Sequence, residues 1–325
     1  MKKLLYAAMI VAAASCGRQS AVESVSYDVA LDSIILSDPC VLADSASGLY
    51  YMTGTGGRLY KSPDLKNWAG PYDVVEFDTA SWTGSHPAIW AAELHHIGDK
   101  YYYFATFTNE SLIADSVRNL PRRASAVFVS DSPDGPYRPA GSDYLPADKL
   151  TLDGTYWEEN GKKYMVYCGE WVQNDNGTIE SIELTDDLGG SVDSTACVLF
   201  RASDSPWSRE VVDGKELGYN RVTDGPWLFR TATGRLGMIW TSWIYHTYTM
   251  GVAYSESGTL AGPWVQVAEP VMPADYGHGM IFRDFEGRDI LSLHSHSDVN
   301  GRYIRRPTFW RVDLSGDSLR VVERL

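Results

Sequence analysis

With 325 residues, 44% of them hydrophobic and only 22% charged, the chain has ample apolar material for a large core and too little charge for disorder. Its formal net charge of −14 makes nucleic acid and anionic membrane surfaces poor partners. Its four cysteines, at 16, 40, 168 and 197, include no CxxC pair, so they do not spell a cysteine-built metal or redox centre.

The first element is separate from the rest. "MKKLLYAAMIVAAASC" has two lysines, an apolar run too short to span a bilayer and a small-residue cleavage context, which together describe an export signal. Because the run ends in Ala-Ala-Ser-Cys, it resembles a bacterial lipobox, with Cys16 as the lipidated residue. The expected organisation is a signal over 1–16, a linker over 17–30 and one folded domain over 31–325. The expected product is an exported lipoprotein, periplasmic or outer-membrane attached and tethered only through that lipid. Loss of Lys2 and Lys3 would take the charge from −14 to −16.

From Asp38 onward one pattern returns five times: a short apolar strand, a glycine turn, and a second strand rich in aromatic and β-branched residues. The copies begin at Asp38 ("DPCVLADSASGLYYMTGT"), Trp90 ("WAAELHHIGDKYYYFATF"), Leu152 ("LDGTYWEENGKKYMVYCGEW"), Thr223 ("TDGPWLFRTATGRLGMIWTSW") and Tyr276 ("YGHGMIFRDFEGRDILSLHSH"). Their turn glycines are Gly48, Gly98, Gly161, Gly234 and Gly287. Between them lie further strand candidates such as "RLYKSPDLKNW", "AVFVSDSPDGPY", "IESIELTDDL" and "GVAYSESGTLAGPW", giving about four short strands per unit. Convincing helical periodicity is hard to find. Four-stranded units of this length repeated radially predict an all-β fold, a five-bladed β-propeller with antiparallel blades. A sandwich gives no reason for five-fold recurrence, and β-helix repeats are far shorter.

In a propeller the innermost strands line a central channel, so the residues that open them gather at one mouth. That position holds Asp38, Ala91 with Glu93 just beyond, Asp153, Asp224 and His278, with Trp90, Trp157 and Trp227 expected around the opening. The second strands return to the same face and add Thr55, Thr106, Glu170, Trp243, His294 and His296. Carboxylates, imidazoles and aromatic rings together suit a sugar, whose C–H faces stack on rings and whose hydroxyls need fixed partners. Trp82, Trp264 and Trp310 are expected in packing, as are Cys40, Cys168 and Cys197.

These hairpins resemble glycoside hydrolase family 43, and the resemblance covers nearly the whole chain from about residue 35. It rests on "SDP", "LDGTYW", "KSPDLKNW", "IWAAELHHIGDKYYYF" and "GHGMIFRDFEGR". It implies inverting hydrolysis of plant cell-wall pentose glycans, α-L-arabinofuranosides in preference to β-D-xylosides, with no required cofactor. It also implies Asp38 as general base and Asp153 as the residue that tunes the acid's pKa. Where the family carries a Glu-Gly-Pro acid, this chain reads "TDGPW". Asp224 is therefore the expected acid, with Glu170 as alternative acid or substrate partner. Trp90, Glu93, Trp157, Trp227, Trp243, His278 and His294 are the expected substrate contacts. The resemblance further suggests a calcium ion near the channel axis, reached by His278 through water. Two alternatives come from other classes: a glycan-binding lipoprotein without turnover, and a phosphorolytic enzyme, disfavoured because few basic residues fall on the expected rim.

Overall fold

The computed structural model describes residues 25–141, 145–146, 149–213, 216–217 and 220–325, so Cys16 and the proposed signal lie outside the described residues. All five repeats become four-stranded antiparallel sheets. Blade 1 runs through Cys40–Asp44, Leu49–Thr53, Leu59–Ser62 and Asn67–Tyr72, with Val29–Ala30 added at its outer edge. Blade 2 comprises Ala88–Ile97, Lys100–Asp115, Leu120–Ser130 and Arg138–Pro139; blade 3 comprises Thr151–Glu159, Lys162–Gly169, Thr178–Leu184 and Ser191–Arg201. Blade 4 comprises Asp224–Arg230, Leu236–Ile244, Thr247–Ser255 and Trp264–Gln266; blade 5 comprises Tyr276–Arg283, Asp289–Val299, Arg302–Asp313 and Arg320–Arg324. The five predicted turn glycines all adopt left-handed φ, between 66° and 88°, which explains their recurrence at one place in each hairpin.

The first strands of successive blades pack side by side, and the strand of blade 5 meets that of blade 1, closing the ring. The apolar core is divided among the wedges between blades. Tyr51 and Phe107 belong to the cluster between blades 1 and 2, Phe104 and Met165 to that between 2 and 3, and Val166 and Trp240 to that between 3 and 4. Ile239 and Leu291 lie in the cluster between blades 4 and 5, and Trp68 and Phe309 in the one between 5 and 1. With the hydrophobic material in the wedges, the axis is left to polar side chains.

Candidate active site

The mouth is built by a repeated backbone irregularity. Where the first strands of blades 2 to 5 begin, pairing slips between Trp90 and Glu93, Leu152 and Thr155, Asp224 and Trp227, and Gly277 and Met280. The residue at each slip is left-handed, Ala91 (φ 42°), Asp153 (54°), Gly225 (48°) and His278 (53°), and so is Asp38 (58°), just ahead of the first strand of blade 1. Non-glycine residues in this region cost about 1–3 kcal/mol each and persist only when their surroundings hold them.

The holding groups come from the preceding blade. The backbone N–H of Ala91 donates to Thr55 Oγ1 at 2.9 Å, that of Asp153 to Thr106 Oγ1 at 2.8 Å and that of His278 to Thr241 Oγ1 at 2.8 Å. Across the closing seam, the N–H of Asp38 donates to His294 Nδ1 at 3.0 Å. In blade 4 the N–H of Gly225 donates to Asp153 Oδ2 at 3.1 Å. The repeated position in blade 4 is thus Gly225, and Asp224 stands one residue earlier than the sequence alignment placed it. Its carboxylate nonetheless lines the same cavity, where Tyr248 OH donates to Oδ2 at 3.0 Å.

The three aspartates differ sharply in charge environment. Burial opposes ionisation of Asp38, but the His278 imidazole, its Nδ1 3.3 Å away, and the Thr55 hydroxyl on Oδ2 outweigh it. Its carboxyl is held far below the usual carboxylate range. Burial, then the charge of Asp38, pushes Asp153 up to about 7. Burial, then the charge of Asp153, pushes Asp224 up to about 8. One cavity therefore holds an ionised carboxylate and a protonated carboxylic acid at neutral pH, the pair that acid-base chemistry on one substrate needs.

The cavity has a volume of about 350 Å³ and also contains Trp90, Glu170, Trp243 and His278. Trp90 is 40% exposed, and its indole is fixed by a bond from Nε1 to Thr108 Oγ1 and by the Arg123 guanidinium 5.2 Å from the ring. Arg123 also bonds Thr108 and is ion-paired to Glu170. Burial raises the pKa of Glu170 against the pull of Arg123. Trp171 and Val172, on the short helix Trp171–Asn174, and Val211 and Val222, between blades 3 and 4, complete that side.

Four expected contacts lie elsewhere. Trp157 is four residues along its strand from Asp153, about 13 Å at about 3.3 Å per residue, and packs in a wedge with Arg230 5.5 Å from its ring. Trp227 stacks on His95 and, with Tyr156 and Phe282, lines a second opening among the residues at the far ends of the first strands. Glu93 is buried and paired with His95 at 2.8 Å. His294 is 1% exposed and sits behind Asp38 rather than in the cavity. Strand rise carries a side chain away from the mouth within a few residues, which the hairpin alignment did not take into account.

Arg123, Tyr248 and Arg305 line the cavity and escaped the sequence analysis. All three lie on third strands, whereas the hairpin repeat describes only the first two. The two arginines also correct the expectation of a rim poor in basic residues. At the axis, His278 Nε2 is buried without a hydrogen-bond partner among the described residues. A lone imidazole nitrogen does not fit calcium, which takes oxygen ligands, and among the described residues no group of three or more His, Cys, Asp or Glu is placed to hold a metal.

A family model described as "Glycosyl hydrolases family 43" matches residues 33–312. Alpha-L-arabinofuranosidase 43 of Humicola insolens is 23% identical over 98% of this chain and 68% of that protein. Alpha-L-arabinofuranosidase B of Pyricularia oryzae is 25% identical over 70% of this chain, which spans 49% of that relative. Among solved structures, an endo-arabinase from Bacteroides thetaiotaomicron superposes with a TM-score of 0.75 at 30% identity, covering 87% of this chain and 96% of that one.

Proposed function

The chain belongs to glycosyl hydrolase family 43, and from that premise we propose that its channel mouth cleaves pentose glycans of the plant cell wall with inversion at the anomeric carbon. Asp38 takes a proton from water as the water oxygen attacks that carbon, the glycosidic C–O bond breaks, and Asp224 gives its proton to the departing oxygen. Water must fit between the two carboxyl groups, which inverting enzymes hold about 6.5–9.5 Å apart. Asp153, whose oxygen is tied to the amide of Gly225 beside Asp224, raises the acid's pKa and orients it. The observation that carries this reading is the convergence of Asp38, Asp153 and Asp224 on one cavity, where the His278 imidazole favours the ionised form of Asp38 and the neighbouring Asp153 the protonated form of Asp224.

The names of the two curated relatives favour α-L-arabinofuranosides over β-D-xylosides. An exo-acting mode is supported by the modest cavity and by the wall of Trp171, Val172, Val211 and Val222 along one side. Glu170 serves as a substrate-hydroxyl partner in this reading, since its carboxyl is already engaged by the Arg123 guanidinium. Trp90 and Trp243 supply the stacking surfaces. Export and lipid attachment at Cys16 belong to the same proposal, supported by the lipobox-like run. Turnover measured on aryl α-L-arabinofuranosides, aryl β-D-xylosides and arabino-oligosaccharides, with the product anomer followed by NMR, tests the assignment. Glycan binding without turnover on any of them would overturn it.

A further inference from the structure

At the cavity wall and behind it, three rings connect the two aspartates. Tyr248, whose hydroxyl holds Asp224, is stacked on His294 at 5.5 Å and 9° and on His296 at 4.9 Å and 16°. The His294 and His296 rings are nearly parallel, with centroids 4.8 Å apart and their Nε2 atoms 2.9 Å apart. All three residues are buried, and His296 does not line the cavity. We infer that Tyr248, His294 and His296 form one brace that sets the position of the proton acceptor relative to the proton donor, an inference that rests on the roles given above to Asp38 and Asp224.

The hydrogen-bond directions follow from Asp38. Its backbone N–H donates to His294 Nδ1, so that nitrogen carries no proton and His294 is the Nε2–H tautomer. Nε2–H must then donate to His296 Nε2, which leaves the His296 proton on Nδ1, facing the Tyr303 hydroxyl. The polar chain thus runs outward from the base, while the stacked faces run across to the acid. Trp243, 5.0 Å from Tyr248 and 6.3 Å from His296, closes the pile on the cavity side. Without its partner at 296, His294 loses the bond that fixes its rotation, and the left-handed backbone at Asp38 loses its firm acceptor. Because His296 touches no substrate, it is a positioning residue.

Two substitutions separate the bond from the ring. His296→Gln keeps an acceptor for His294 Nε2–H, whereas His296→Phe keeps a ring and offers none. The expected result is a fall in kcat of about tenfold to a hundredfold for His296→Phe, on activated aryl glycosides and on oligosaccharides alike, with KM little changed. His296→Gln should retain most of the rate. Two folded variants with kcat near that of the unsubstituted protein, or equal losses in both, would overturn the brace. If His296→Phe does not fold, long-range 15N–1H spectra of the imidazoles in the unsubstituted protein decide. A proton on His294 Nε2 supports the brace, and one on Nδ1 overturns it. Asp38→Asn measured in parallel keeps the outcomes apart: retained activity there refutes the base assignment itself, whereas its loss beside fully active His296 variants refutes only the brace.

Discussion

Asp38 combines a strained backbone with a specific chemical duty, and asparagine separates the two. Asn tolerates the left-handed φ of 58° and keeps an oxygen for Thr55, but it cannot accept a proton from water. Asp38→Asn should therefore lower kcat by a factor of about 10² to 10⁴, with binding of oligosaccharide nearly unchanged and the melting temperature at neutral pH lowered, because the amide gives up the charge that His278 stabilises in the folded state. Calorimetric titration and thermal unfolding beside the kinetics check this. A substantial residual rate would remove Asp38 from the mechanism.

Asp224 predicts two pH effects. With the acid's pKa raised to about 8, activity should decline above that pH, while the low pKa of Asp38 leaves no acid limb in the ordinary carboxylate range. Asp224→Asn should suppress cleavage of poor leaving groups about 10²- to 10⁴-fold, and of activated aryl glycosides far less, because a phenolate leaves without a proton. Glu170→Gln should lower both rates alike; an exchange of the two profiles would make Glu170 the acid. The stability effect has a definite sign. A carboxyl whose folded pKa lies above its unfolded value binds its proton more tightly when folded, so its contribution is lost as pH rises from about 4 towards 8. Asp224→Asn should then raise the unfolding temperature more at pH 9 than at pH 5, and the reverse order would show that the acid is not held protonated.

At the scale of the element, the bulged strand openings and the side chains that clasp them form one device repeated around the ring. Thr106 illustrates what it contributes, since its hydroxyl is the acceptor for the amide of Asp153 and is fully buried. Thr106→Val preserves shape and leaves that amide unpaired, at a cost of about 1–3 kcal/mol. Urea unfolding should show the loss, and the activity of the folded variant should fall as well, because Asp153 orients Asp224. An unchanged unfolding midpoint would mean that the clasp contributes nothing. Blade 3 breaks the pattern, with Cys168 paired to Leu152 where Thr106 and Thr241 pair with Trp90 and Asp224. There Asp153 itself holds the next blade's amide, which places a carboxylate between blades 3 and 4.

For the whole molecule the seam between blades 5 and 1 is where the ring closes, and there, as at the other junctions, the two sheets share no strand among the described residues. The seam is joined by the Trp68 and Phe309 cluster, by Ser292 Oγ donating to Pro39 O at 2.6 Å, by the Phe285 amide donating to Tyr50 OH, and by the Asp38 and His294 contact. Trp68 has no exposed surface, and Trp68→Ala should cost about 3–5 kcal/mol, measured by denaturant unfolding. Because the seam carries Asp38, activity should be lost at lower denaturant in this variant than global structure is.

The sequence by itself determined the five-fold repeat, the all-β blades, the positions of the turn glycines and the convergence of Asp38, Asp153, Asp224, Glu170 and His278. These follow from local chemistry: glycine where φ must be positive, and apolar residues where strands pack, in a unit that recurs so that distant residues share one address. The tertiary structure alone decided which side chains at that address meet. The offset of Asp224 from the repeated position, the withdrawal of Trp157 and Trp227 along their strands, and the entry of Arg123, Tyr248 and Arg305 from third strands all depend on bulge register and blade stagger. So do the opposed ionisations of Asp38 and Asp224, because burial and the distances between charges, which set them, exist only once the ring has closed.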